Sequence, residues 1–133
     1  MEGGKNKILI VDDDVLILDM YSLKFSQNNF DVCSALGSAV AIDKLKCGLR
    51  PDIILSDVLM PDMDGLEMLE KIKKEKLSEN SLKIILSNKG EPEDFERAKG
   101  IGVDGYIIKA TATPSEVVTQ VKDIFIKKTS TAK

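Results

Sequence analysis

The chain predicts an α/β fold: a doubly wound sheet of five parallel strands with five helices on its two faces. Three observations carry that expectation. Short apolar runs alternate with longer amphipathic stretches five times along 133 residues, enough for one domain and too few for two. Several runs are continuously apolar (Ile8-Leu9-Ile10-Val11, Ile53-Ile54-Leu55, Ile84-Ile85-Leu86), as strands covered on both faces require. The stretches between them carry helix-start and helix-stop chemistry. No internal repeat or low-complexity linker interrupts the pattern.

Strands are expected over residues 7–11, 30–35, 52–56, 82–86 and 105–108. Phe30-Asp31-Val32 alternates in polarity and suits a sheet edge. The first helix, 15–27, places Leu16, Met20 and Leu23 on one face. Ser38 is the expected cap of the second, which runs to Cys47 with Gly48 as its stop. Asp64 caps the third, with Leu66, Leu69 and Ile72 inward and Glu67/Lys71 and Glu70/Lys74 as i,i+4 pairs. Gly90-Glu91-Pro92 opens the fourth, with Gly100 as its end. Thr113-Pro114-Ser115-Glu116 starts the fifth with a capping residue, a proline at the first helical position and a glutamate three residues on. Val117, Val118, Val121, Ile124 and Phe125 then keep helical spacing.

Composition excludes several classes of chemistry. The chain holds no histidine, which removes a Ser-His-Asp triad, a Cys-His pair and every histidine-ligated metal site. A formal charge of −3 gives no general attraction to DNA or anionic lipid, so neither nucleic acid nor membrane is an expected direct partner. No apolar run reaches the ~18 residues of a membrane span, and no secretory signal is evident. Cys33 and Cys47 are too far apart for a Cys-x-x-Cys pair and read as reduced thiols of a cytoplasmic protein.

Ligands of open parallel sheets bind where the strand order reverses, beyond the carboxyl ends of the strands. In the order 2-1-3-4-5 the first and third strands flank that reversal. One runs into Asp12-Asp13-Asp14, the other into Asp57. Carboxylates brought together there repel, and the cluster calls for a cation. An oxygen-only donor set suits Mg²⁺, which keeps several waters and leaves room for a phosphate oxygen. Asp14 reads as a helix cap. Ser87 closes the fourth strand and Lys109 the fifth, adding a hydroxyl and a fixed positive charge. A metal, a lysine and an attacking carboxylate are the parts of phosphoryl transfer.

Four motifs together resemble the receiver domain of two-component response regulators. Lys-Ile-Leu-Ile-Val-Asp-Asp-Asp (7–14) is similar to the family's first strand and acidic pair. Pro-Asp-Ile-Ile-Leu-Ser-Asp-Val-Leu-Met-Pro-Asp-Met-Asp-Gly (51–65) is similar to the phosphoacceptor strand and its loop. Ile-Ile-Leu-Ser (84–87) and Gly-Tyr-Ile-Ile-Lys (105–109) match the hydroxyl and lysine strands. The resemblance implies a receiver domain over 7–127, with tails at 1–6 and 128–133. It implies Asp57 as the phosphoacceptor, with Mg²⁺ bound by Asp13 and Asp57, by Asp12 through water and by the Leu59 backbone carbonyl. Lys109 and Ser87 would hold the phosphoryl group, and Ser87 with Tyr106 would form the switch, Tyr106 moving inward as Ser87 is drawn to the phosphate. The implied donor is a sensor histidine kinase or phosphotransfer protein. Output would pass by protein contact through the face of helix four, strand five and helix five. Such a protein catalyses only its own phosphorylation and dephosphorylation.

The chain departs from the family pattern at two places. Ala110 follows the lysine where the family has proline, and a non-proline cis bond costs about 3 kcal/mol, so Lys109–Ala110 is expected trans. Asn88 replaces a small residue beside Ser87, where its amide would narrow the pocket or bond the phosphoryl group; Lys89 adds charge nearby. A degenerate receiver that binds partners without phosphorylation and a small Mg²⁺-dependent phosphohydrolase are the alternatives. Gly100-Ile101-Gly102-Val103-Asp104-Gly105 fits G-x-G-x-x-G, but it leaves a helix and enters a strand, the reverse of a dinucleotide site. Asp62-Met63-Asp64-Gly65 fails as a calcium loop because Met60 and Lys71 occupy the first and twelfth positions.

Overall fold

The computed structural model describes residues 5–61, 63–88 and 90–130. The apolar runs form five parallel strands: β1 (Asn6–Asp12), β2 (Phe30–Leu36), β3 (Ile53–Asp57), β4 (Leu82–Ser87) and β5 (Gly105–Ile108). Their order is β2-β1-β3-β4-β5, with β1 and β3 adjacent at the reversal. Ile10 pairs with Leu55 and Val11 with Ser56, so Asp12 and Asp57 leave the sheet from neighbouring strand tips. Asp57 faces Leu86 across β4, and Ser87 faces Ile108 across β5.

Alternation along the strands divides the core in two. Leu9, Val11, Ile54 and Ile85 face α2 (Ser38–Lys46), α3 (Gly65–Lys74) and α4 (Pro92–Ile101). Ile8, Ile10, Ile53, Leu55 and Ile84 face α1 (Val15–Gln27) and α5 (Pro114–Ser130). Continuous apolar runs are what a sheet buried on both sides needs. β1 begins at Asn6 and α5 continues to Ser130, into the stretches read from sequence as tails; residues 1–4 and 131–133 lie outside the described part.

Several helix details differ from expectation. Leu16, Met20 and Leu23 do share a face of α1, but it is the solvent face, with Leu16 76% and Leu23 61% exposed. The buried face is Leu18, Tyr21 and Phe25. Phe25 meets Phe30 of β2 edge to face at 5.2 Å, and both rings are buried. Gly37, not Ser38, caps α2; Ser38 is its buried first residue, and its hydroxyl donates to the Met63 carbonyl at 2.8 Å. Helix α4 runs through Gly100 and stops at Gly102, which takes the left-handed conformation, φ 86°. On α3, Lys71 pairs forward with Glu75 at 2.7 Å rather than back with Glu67. Glu67 is occupied by the capping box, accepting the Asp64 N–H at 3.0 Å while Asp64 accepts the Glu67 N–H at 2.8 Å. The same reciprocal bonds join Thr113 and Glu116 at the start of α5.

Candidate functional site

Three consecutive aspartates at the end of β1 divide their work. Asp14 caps α1, its Oδ1 accepting the N–H groups of Leu16 and Ile17 at 2.9 and 3.3 Å. Asp12 is buried and its Oδ1 accepts the Asp14 N–H at 3.0 Å. Asp13 is exposed beside it. Across the reversal Asp57 is buried at the tip of β3, with Oδ1 accepting the Val58 N–H at 2.9 Å. One carboxylate oxygen from each of Asp12, Asp13 and Asp57 lies within 4.8 Å of the others.

Lys109 faces this cluster from the end of β5. Its Nζ is 3.6 Å from Asp12 Oδ2 and 3.6 Å from Asp57 Oδ1, with the side chain largely buried. The Lys109–Ala110 peptide is trans, as no cis bond occurs among the described residues. Residues 109–111 form a 3₁₀ turn, and the Ala110 N–H donates to the Asn88 carbonyl at 3.3 Å. That bond ties the ends of β4 and β5 together and sets the lysine's starting point.

The electrostatics are unbalanced. Burial pushes the Asp57 carboxyl up to about 6, Lys109 pulls it down, and Asp12, the Val58 N–H and Asp13 act in turn upward, downward and upward. One lysine therefore does not compensate three acids. An additional hard cation fits: every donor is an oxygen, the acids converge, and two of them have been taken out of water. Asp12, Asp13 and Asp57 are the residues able to hold it. The Leu59 carbonyl, two residues beyond Asp57, belongs to the same loop.

That loop is shaped by a close approach. A β-carbon on Gly65 would collide with the Asp57 carbonyl oxygen. The Gly65 N–H donates to Val58 O at 2.8 Å, and Ser56 Oγ donates to Asp57 O at 2.9 Å. The first turn of α3 is thereby held directly against the backbone of Asp57.

Ser87 is buried at the tip of β4, and its Oγ accepts the Gly90 N–H at 3.2 Å. Asn88 is exposed next to it. Tyr106, half-buried on β5, packs against the core cluster shared by α2, α3 and α4, with its hydroxyl buried and unpartnered among the described residues. Its ring meets Phe95 of α4 edge to face, centroids 5.5 Å apart at 76°. Lys89 lies outside the described residues. The structure thus brings Asp12, Asp13, Asp57 and Lys109 into one site, with Ser87 and Asn88 on the adjoining strand end and Tyr106 behind them. Two neighbours went unforeseen. Tyr21 of α1 is buried, and its phenol is pushed up by burial and by the charges of Asp12 and Asp57. Phe95 had no apolar period around it to mark it.

The family described as "Response regulator receiver domain" matches residues 8–122. The alkaline phosphatase synthesis transcriptional regulatory protein PhoP of Bacillus subtilis is 32% identical over 120 residues, covering 89% of this chain and 48% of that protein. The chain spans about half the length of the curated relatives it matches. Among solved structures, the CheY-like response regulator receiver domain protein of Methanospirillum hungatei JF-1 superposes with a TM-score of 0.85 at 27% identity, covering 96% of this chain and 98% of the other. The chemotaxis response regulator CheY4 of Vibrio cholerae gives 0.81 at 26% identity, covering 90% and 98%. Motifs, strand order and site geometry agree with these likenesses, and the chain belongs to the receiver domain family of two-component response regulators.

Proposed function

We propose that the chain is a phosphoacceptor switch, taking a phosphoryl group on Asp57 in a Mg²⁺-dependent reaction and signalling through protein contact. The observation that carries this is the placement of Lys109 at 3.6 Å from both Asp12 and Asp57, above three converging carboxylates. A carboxylate oxygen of Asp57 attacks phosphorus. The bond from phosphorus to the donor nitrogen breaks, and that nitrogen keeps the electron pair. Lys109 balances charge on the phosphoryl oxygens as they approach. Asp12, Asp13 and Asp57, with the Leu59 carbonyl, would hold Mg²⁺, which supplies further neutralisation. Ser87, drawn from Gly90 toward the new dianion, starts a change that a partner reads at the face of α4, β5 and α5.

A sensor histidine kinase or phosphotransfer protein is the donor that this chemistry fits. The exposed stripe Leu16, Met20 and Leu23 begins two residues after Asp14 and offers such a donor an apolar surface on α1. The test is mass spectrometry after acetyl phosphate with Mg²⁺. One added phosphate, absent in Asp57→Asn and without Mg²⁺, is expected, and Asp13→Ala should lose Mg²⁺ binding in titration. An unmodified wild-type chain would refute the switch and leave a receiver that works without phosphorylation.

A further inference from the structure

The two switch residues are out of step. The resemblance to receiver domains implies that Tyr106 goes inward when Ser87 is drawn to the phosphoryl group. Here Ser87 Oγ is engaged by the Gly90 N–H, the position it leaves on phosphorylation, while the tip of Tyr106 is already buried. Something other than Ser87 holds the ring in.

A buried hydroxyl without a partner disfavours the position it occupies. The inward ring gains contact with the core and one specific neighbour. Phe95 reaches across from α4 and meets it in the edge-to-face arrangement that aromatic quadrupoles favour. Phe95 is itself 46% exposed, and Lys99 Nζ stands 5.9 Å from its ring centroid. An exposed phenylalanine is kept in place here by a cation on one side and a tyrosine on another.

We infer that Phe95 is a positioning residue that latches Tyr106 inward before any phosphoryl transfer. The β5 part of the signalling surface is preset in this chain, and chemistry at Asp57 has only Ser87 and the segment from Ser87 to α4 left to move. The geometry of the latch stands apart from the phosphoacceptor reading; what it presets rests on that reading. An edge-to-face pair shifts the inward-to-outward ratio by about 2- to 12-fold.

The chain has two tyrosines and no tryptophan, so Tyr106 is the sole intrinsic fluorophore in a Tyr21→Phe background. Iodide quenching then reads its exposure in the metal-free protein. Quenching several-fold weaker than for N-acetyltyrosinamide is expected, rising by about 1.5- to 4-fold in Phe95→Ala. Phe95→Leu, which keeps most of the bulk, should fall between. Beryllofluoride with Mg²⁺ should change the Phe95-containing protein little and restore protection in Phe95→Ala. Free-tyrosine quenching in the resting protein overturns the latch, as does unchanged quenching in both variants. A large further burial on beryllofluoride overturns the preset. Failure of beryllofluoride to bind, seen by fluorine resonance, sinks the phosphoacceptor reading and leaves the latch to be decided by the resting-state arm.

Discussion

Replacing Asp57 by asparagine removes a buried charge whose cost can be worked from the site. Asp57 is 9% exposed, shares its pocket with Asp12 and Asp13, and among the described residues pairs with one cation, Lys109, at 3.6 Å. Its carboxyl is raised from 3.8 to about 6, chiefly by burial. At about 1.36 kcal/mol per pH unit, this corresponds to roughly 3 kcal/mol by which the ionised form opposes folding. The native state binds the proton more tightly than the unfolded chain. Stability is therefore undiminished below pH 3.8, falls as pH rises toward 6, and stays reduced above it.

The assay is urea unfolding of wild type and Asp57→Asn in EDTA at pH 4 and pH 8. At pH 8 the asparagine protein should be the more stable by up to about 3 kcal/mol, a midpoint shift of about 1–2 M. At pH 4 the difference should shrink to about 0.5 kcal/mol, because the folded carboxyl is then almost wholly protonated and the unfolded one only partly so. Mg²⁺ at pH 8 should narrow the gap by stabilising only the chain that keeps its ligand. A wild type that matches or exceeds the variant at pH 8 in EDTA would refute the reasoning.

Gly65→Ala forces a methyl group onto the Asp57 carbonyl and should cost about 1–3 kcal/mol or more in urea unfolding, with acetyl phosphate labelling of Asp57 reduced alongside. Asp64→Ala removes the α3 capping box and the acceptor for Arg97 Nη1 at 3.1 Å; about 1 kcal/mol is expected from the cap in the same assay. Arg97→Ala should cost under about 1 kcal/mol, since that pair is largely exposed.

The parts legible in the sequence are those where one physical requirement dominates. A strand covered on both faces must be continuously apolar, and three of the five runs met that condition and became β1, β3 and β4. The Thr113–Glu116 cap was equally readable, because its bonds are local and need only a four-residue window; Asp64 was readable as a cap, but Glu67, which closes that box, was read as the partner of Lys71. Acids at two strand tips were legible because topology alone joins them: the β1–β3 register brings Asp12 and Asp57 together whatever the loops do. Where two residues competed for one role, pattern could not choose. Ser38 carries a capping hydroxyl, but the structure spends it on Met63 and caps α2 with Gly37. Gly100 was the expected stop of α4, and the positive φ fell instead to Gly102, two residues on.

The largest gap was on α1, and it bears on how such a domain carries information. Leu16-Met20-Leu23 and Leu18-Tyr21-Phe25 are both apolar at helical spacing, so periodicity specifies a helix without specifying its rotation. Rotation is set from outside, by the Asp14 cap at one end and by Phe30 of β2 against Phe25 at the other. Tyr106 and Phe95 pose the same problem, because neither position predicts the contact until α4 lies against β5. Buried strands and clustered charge have few alternatives, and the chemical centre inherits that rigidity. The α4–β5 surface rests on contacts with near-equal rivals: among the described residues the Tyr106 hydroxyl has no partner, offset by one ring edge from Phe95. A switch requires such near-balance, because a phosphoryl group can move only an equilibrium whose two sides already lie within a few kcal/mol.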